Sequence, residues 1–494
     1  MYPKPKPSYS ERGQAIVIIA GALVGIIGIM GLMIDVGILF IDSSRLKRSV
    51  DAAAISAALQ YREGYSDSEL SDAATEFVQL NEGNATDIIV EVCNADSTLH
   101  QPDLCPPVTD PPTPPKKVVR VSASKFIDFG FLPVLGINGT TIRTNAIGEA
   151  ASIDLVFVID ASESMAYETD ASKLNPADFG SLEDYQAAYE ALAATQDDPA
   201  ACNAADDCEP FRSIKNVAID FVDTLYFPYD RVSVVTFDRV AHSFPSGAGF
   251  APWIEDADGD GIAKDEVISI IDGLNVYQPG PCVSVDPPNP AVGTCLSYDG
   301  GGNFQFINCM PWEYSGRVDP TSCTSSNIGG GLALAGNSFA QAPIREDSLW
   351  IVILLAGGPA NATDAFSGFP MGSCPSAYWD QPFCRDDEAS DRHVSGETLY
   401  DGDDFARDMA DFVTDPDAGQ GAIVFSIGLG EKINNDRIRG GSGDPDIAEQ
   451  LLIYAAEGAG GTSNVGVYYN APGQAELRDA FRQIAENIAT RITH

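Results

Sequence analysis

The chain has 494 residues and a formal net charge of −42, from 71 acidic residues against 29 Lys and Arg. A surface that acidic repels phosphate backbones, so nucleic acid is a poor candidate partner, whereas divalent cations and a cation-rich exterior suit it. The 44% of apolar residues can build a core and exclude a disordered chain, and the length asks for a large domain plus a smaller unit.

Residues 1–12 are expected to form a short cytoplasmic tail. Ala15 to Ile34 is an uncharged apolar run of 20 residues, and apolar character resumes from Val36 to Ile41. That is long enough to cross the hydrocarbon core as a helix over residues 13–41. Lys4, Lys6 and Arg12 precede the run, and Arg45, Lys47 and Arg48 follow it, so the positive-inside count is a tie. Orientation rests instead on the cysteines and the acidic C-terminal bulk, which point to a cytoplasmic N-terminus and an extracytoplasmic remainder of a single-pass membrane protein. Gly21 and Gly25 form a GxxxG face, with Gly28 and Gly31 nearby. It is either a helix-packing surface or the ordinary glycine content of membrane helices. Asp35, at the outer end of the span, either meets a partner or reaches interfacial water.

The stretch from Glu11 to Leu59 resembles the N-terminal module of TadE/TadG-like proteins, which belong to tight-adherence (Flp) pilus systems and related bacterial envelope systems. The matching features are Gly13-Gln14-Ala15, Ile34-Asp35-x-Gly37, Arg45 and Asp51-Ala52-Ala53-Ala54. The resemblance implies Flp pilus components as partners in a bacterial cell envelope. Type IV prepilins carry Glu five residues after the cleavage glycine, and that place, counted from Gly13, holds Ile18. Prepilin processing is therefore not expected, and the helix should stay as an anchor. Three β-branched segments, beginning at Asp87, Lys117 and Thr140, read as strands around a proline-rich excursion at Pro106–Pro115. Residues 42–150 are expected to form a small α+β stalk, a long helix on an antiparallel sheet, like the region that follows the helix in TadG-like proteins.

From residue 151 to 494 the chain alternates strand and helix. Strand-length apolar runs lie at Ile153–Asp160, Arg231–Phe237, Leu349–Leu355, Ala422–Ile427 and Val465–Tyr469. Helical periodicity fills Phe211–Leu225, Ile328–Phe339, Asp403–Val413, Ile447–Ala456 and Ala475–Ile488. The expected fold is α/β, a doubly wound, mostly parallel sheet with ligands held beyond the C-terminal strand ends. The first strand stops at Asp160-x-Ser162-x-Ser164. One carboxylate and two hydroxyls converging on a point are hard oxygen ligands, suited to Mg²⁺, Mn²⁺ or Ca²⁺. With the segments Asp230–Phe244, Ser326–Ala335 and Trp350–Asn361, the motif resembles the von Willebrand factor A domain. The metal-ion-dependent adhesion site of that family uses DxSxS, a downstream Thr and a later Asp. Asp160, Ser162 and Ser164 match, Ser326 takes the Thr place, and Gly357 stands in the Asp place. The resemblance implies a site for a protein or surface ligand lacking one carboxylate.

Asp256-x-Asp258-x-Asp260-Gly261 is a second cation signal, because alternate carboxylates and a glycine at position six begin a calcium loop. It is similar to the loops of EF-hand-like and thrombospondin type 3-like repeats. Val267 occupies the closing Glu position, leaving Glu266 and Asp265 as closing candidates for Ca²⁺. Cys93, Cys105, Cys202, Cys208, Cys282, Cys295, Cys309, Cys323, Cys374 and Cys384 all follow the apolar segment and contain no CxxC. They read as disulfides made in an oxidising compartment, paired between sequence neighbours. Six of them lie in the long insertions at residues 277–325 and 357–400, which together with residues 166–210 are candidates for partner recognition. No Walker loop, HExxH or GxSxG appears, so a non-enzymatic binding protein is expected. A docking component of the pilus or secretion machinery with a degenerate metal site, or a surface sensor or scaffold unconnected to pili, is the alternative.

Overall fold

The computed structural model describes residues 12–61, 64–105, 116–166, 180–181, 199–238, 240–246, 251–258, 262–276, 294–298, 304–308, 326–360, 392–395, 397, 400, 402–430, 433, 447–461 and 465–492. The chain divides into two compact units, Met1–Ala150 and Ala151–His494.

The first unit begins with α1, one unbroken helix from Arg12 to Gln60. Its N-terminal portion carries apolar side chains on all sides, and they are exposed from Ile16 to Met30. The helix is long and apolar enough to cross a membrane. A helix apolar all round suits a lipid surround. Around Leu46 the character changes: Leu46, Val50, Ala53, Ala54, Ala57 and Ala58 are buried. Their three- and four-residue spacing puts them on one face. That face lies on a three-stranded antiparallel sheet of β1 (Ala85–Val92), β2 (Lys117–Asp128) and β3 (Gly139–Ala150), with β2 central. The approach is close because Gly148 in β3 has no side chain: a Cβ there would lie 2.2 Å from the Ala54 carbonyl oxygen. Helix α2 (Asp67–Asn81) starts at a capping box of Ser66 and Glu69 and buries Leu70, Ala74 and Val78. The Cys93–Cys105 disulfide closes the segment after β1.

Lys125 of β2 pins these layers together. Its Nζ lies 2.8 Å from Asp42 of α1 and 2.7 Å from Glu82 beyond α2, and its side chain is only 10% exposed. Desolvation pulls the Lys125 pKa down, but the two carboxylates outweigh it and hold it above the usual value. Lys125→Met should therefore destabilise this unit by about 3 kcal/mol, because it leaves two carboxylates facing each other without their cation. Urea unfolding followed by circular dichroism measures the loss. Because the pKa is raised, the wild-type contribution is complete below the unfolded value of 10.5 and disappears as pH rises through the folded one. The gap between the wild-type and variant transitions should narrow in that alkaline window.

The second unit is built on a six-stranded sheet in the order β11-β10-β9-β4-β5-β6. Its strands are β4 (Ile153–Asp160), β5 (Arg231–Phe237), β6 (Ala241–Phe244), β9 (Leu349–Ala356), β10 (Ile423–Leu429) and β11 (Tyr468–Ala471). All neighbours pair in parallel except β5 with β6, an antiparallel edge. Every residue of β4 is buried, as a central parallel strand covered on both faces requires. Leu155, Phe157 and Ile159 point to one layer, with the Phe211–Val222 and Gln474–Ile492 helices. Val156 and Val158 point to the other, with the Ile328–Phe339, Gly402–Thr414 and Ile447–Ile453 helices. The opposite end of the sheet from Asp160 is fastened by buried Asp154, which accepts hydrogen bonds from both Arg231 and Arg345. A separate hairpin, β7 (Thr294–Tyr298) with β8 (Phe304–Asn308), lies within the 277–325 insertion.

Several boundaries differ from the sequence expectation. The last strand runs over Tyr468–Ala471 rather than from Val465, because Gly466 donates its N–H to Ala456 and only the later residues pair with β10. The helix from Ile447 turns π-helical over Tyr454–Gly458. Asp35 does not reach water. It is fully buried, and its carboxylate accepts the backbone N–H groups of Gly130, Phe131 and Leu132.

Candidate functional site

The site forms where parallel strands end. Asp160 is the last residue of β4 and is completely buried. The chain leaves the sheet there, and Ala161 donates its N–H to the Phe237 carbonyl of neighbouring β5. Ser162 follows, and its N–H donates to Asp160 Oδ1 at 2.9 Å. The other carboxylate oxygen, Oδ2, accepts the Gly357 N–H at 3.0 Å from the end of β9. Residues Glu163–Ala166 form a 3₁₀ turn. The side chain of Ser164 lies outside the described residues.

Ser326 reaches the same point from another direction. Asn327 caps the Ile328–Phe339 helix, accepting the Gly330 N–H, and its own N–H donates to the Asp238 carbonyl at 2.7 Å. This sets the Ser326 hydroxyl 3.4 Å from that of Ser162, both groups being buried. Asp160, Ser162 and Ser326 are thus brought together.

Asp238 also belongs here and was missed in the sequence. It follows β5 directly, is buried, and its charge acts on Asp160. Its Oδ1 accepts the Val240 N–H at 3.0 Å, and its Oδ2 lies 3.5 Å from His242 Nε2. Its signal in the sequence is partial: an acid stands directly after the buried strand Arg231–Phe237, but only the pairing of β5 with β4 brings it near Asp160.

The electrostatics favour a cation. Burial pushes the Asp160 carboxyl above its usual range, and the Asp238 carboxylate pushes the same way; the Ser162 and Gly357 donors offset part of this. The Asp160 carboxylate and the Ser162 and Ser326 hydroxyls form a hard, all-oxygen donor set beside the Asp238 charge, which fits Mg²⁺ or Mn²⁺. The Gly357 position has a steric explanation. A Cβ there would lie 1.9 Å from the methyl carbon of Met165, so Met165 fills the space that an acid side chain would occupy.

The second signal is arranged differently from a contiguous loop. Asp265 and Glu266 lie in the first turn of the Lys264–Asp272 helix, not in the loop itself. Asp256, Asp258 and Glu266 nonetheless offer oxygens within 4.8 Å of one another. Asp260 lies outside the described residues. Glu266 Oε1 accepts the Ala257 N–H at 2.7 Å, which holds its carboxyl below the usual range. Three carboxylates converging in this way fit Ca²⁺.

Cys202 and Cys208 form a disulfide immediately before the Phe211–Val222 helix, a second bond between sequence neighbours. Cys282, Cys309, Cys323, Cys374 and Cys384, and the side chain of Cys295, lie outside the described residues. Gly21 and Gly25 have open space where a side chain would project.

No family model matches the chain, and no curated protein does. Among solved structures it is similar to proximal thread matrix protein 1 from the mussel byssus, with 12% identity, a TM-score of 0.31 and coverage of 68% of this chain but only 47% of that one. It is similar to the PilB minor pilin from Streptococcus sanguinis, with 13% identity, a TM-score of 0.33 and coverage of 82% and 79% of the two chains. It is also similar to the vWF domain of the type V pili tip protein Mfa5 from Porphyromonas gingivalis, with 13% identity, a TM-score of 0.35 and coverage of 69% and 97%. Scores and identities this low carry no weight on function, and the architecture stands on its own strand order.

Proposed function

We propose that this chain is a membrane-anchored, extracytoplasmic binding protein without enzymatic activity. Its second unit acts as a von Willebrand factor A-like domain that takes a protein or surface ligand at a divalent-metal site. The carrying observation is the buried Asp160 carboxylate, held at a strand end with the Ser162 and Ser326 hydroxyls and a second acid, Asp238. A bound Mg²⁺ or Mn²⁺ supplies a Lewis-acidic centre for an oxygen of the ligand. The chain's own part is to fix the donors: Gly357 and Ser162 orient Asp160, and the Asp238 carbonyl seats Asn327 and hence Ser326. Preorganisation of this kind lowers the entropic cost of binding. The module from Glu11 to Leu59 supports placement in a Tad/Flp-pilus-like envelope system, with adhesion as the role. Titration calorimetry of the full chain with Mg²⁺ and Mn²⁺ tests the site: saturable heat is expected, and none at millimolar metal overturns it.

A second reading is favoured by one contact. The Gly357 N–H already occupies one oxygen of Asp160. On that reading the site is degenerate, and the domain docks neighbouring subunits of the pilus or secretion machinery through other surfaces. Loss of pilus export on deletion, with Asp160 dispensable, would select it.

The acidic cluster is proposed as a structural Ca²⁺ site. Calcium should raise the thermal midpoint of the wild-type chain by a few degrees, roughly what 1–2 kcal/mol of linkage gives a unit of this size. Glu266→Gln should abolish the shift, and EGTA should reverse it.

A further inference from the structure

The connection from β2 to β3 has the composition of a buried segment yet is exposed. Residues 129–138 read Phe-Gly-Phe-Leu-Pro-Val-Leu-Gly-Ile-Asn, with no charge. Phe131 is 46% exposed, Val134 88%, Leu135 76% and Ile137 49%. Four large apolar side chains clustered on one short loop form the kind of patch that marks an interaction site.

The place of the loop along α1 says what covers it. The Asp35 carboxylate accepts the N–H groups of Gly130 at 2.7 Å, Phe131 at 3.1 Å and Leu132 at 2.7 Å. The Phe131 side chain lies against Gly31, where an added Cβ would sit 2.9 Å from it. Gly31 is one helical turn nearer the N-terminus than Asp35, about 6 Å along the axis. The apolar stretch before Asp35, from Ile16 to Ile34, is about 28 Å long, close to the thickness of a bilayer's hydrocarbon core. Asp35 therefore lies near the outer end of the span, and the loop reaches from that level toward the apolar stretch.

The backbone of the loop is also prepared for a medium without water. Besides the three N–H groups held by Asp35, Val134 donates to Phe131, Gly136 to Pro133 and Ile137 to Leu132. Irregular backbone enters lipid only when its donors are matched internally. A buried carboxylate near the membrane is likewise tolerated when its oxygens are engaged.

We propose that the β2–β3 loop is a membrane-inserting wedge whose Phe131, Val134, Leu135 and Ile137 side chains enter the acyl chains of the leaflet beside the C-terminal end of the membrane-spanning stretch of α1. The loop is a second hold on the bilayer and fixes the first unit against the surface. The proposal rests on the anchor reading of α1.

The test uses the full chain reconstituted in phosphatidylcholine vesicles, with or without bromine on the acyl chains. Val134→Trp places a reporter at an exposed position and does not threaten the fold. Leu23→Trp reports the helix itself. The four native tryptophans all lie beyond residue 150, and difference spectra remove them. The added emission of Val134→Trp should be blue-shifted, should lose most of its intensity in brominated lipid, and should be shielded from aqueous iodide. Its quenching should be strongest with bromine near the headgroup, and that of Leu23→Trp with bromine near the chain end. Leu23→Trp quenched by lipid while Val134→Trp is not would overturn the wedge alone and make the loop a protein-docking surface. If neither is quenched, the anchor reading fails and the wedge with it.

Discussion

Replacing Asp160 by Ala should abolish Mg²⁺ and Mn²⁺ binding at the strand-end site while leaving the acidic loop intact. Asp160 is the donor from which the site is built, since both of its oxygens are oriented by backbone N–H groups. A metal present at a hundred times its dissociation constant stabilises the folded chain by about 2.7 kcal/mol. The wild-type thermal midpoint should rise by that equivalent on saturation, and the Asp160→Ala midpoint should not move. Asp238→Asn should weaken binding rather than remove it, because it deletes a nearby negative charge and leaves the Asp160, Ser162 and Ser326 donors in place. Gly357→Asp paired with Met165→Ala should strengthen binding about tenfold or more, since it restores a carboxylate and clears the methyl that occupies its space. Differential scanning calorimetry with and without Mn²⁺ reads all three.

Gly148→Val should cost the first unit about 3 kcal/mol or more, the range of severe overpacking. The obstacle is backbone, not a side chain that can rotate away. A Cβ at Gly148 would sit 2.2 Å from the Ala54 oxygen and 2.9 Å from the Ile55 nitrogen. Either α1 lifts off the sheet, exposing Val50, Ala53 and Ala57, or β3 shifts its register with β2. Gly25→Ala is the control, because nothing lies within 4 Å of that position. Chemical denaturation in detergent should show an early transition in the first variant and a wild-type curve in the second.

What could be read in the sequence follows physical rules. Strand β4 is buried on both faces, so its residues form an unbroken apolar run with clear ends, and Ile153–Asp160 is a strand over the expected residues. Strand β5 was legible for the same reason. Strand β6 was not, because Ala241–Phe244 is four residues long, half-exposed and antiparallel at an edge. The Lys264–Asp272 helix was hidden by the acidic motif before it, which drew Asp265 and Glu266 into a loop. Local spacing could propose Asp160 and Ser162, whereas Ser326 came only from the resemblance to the von Willebrand factor A domain. Spacing could not reach Asp238, whose place depends on β5 lying beside β4 in the sheet. Asp35 shows the same limit, since its partners lie some ninety-five residues away in the chain. Gly357 was read as a missing ligand, while Met165 in its place is a fact of packing.

The most direct measurement is a Mn²⁺ titration followed by electron paramagnetic resonance on the wild-type chain and Asp160→Ala side by side. The difference between the two curves isolates the strand-end site from the acidic loop. Wild type should bind one Mn²⁺ more than the variant, and Mg²⁺ should displace that ion. Superimposable curves would contradict a metal site at Asp160.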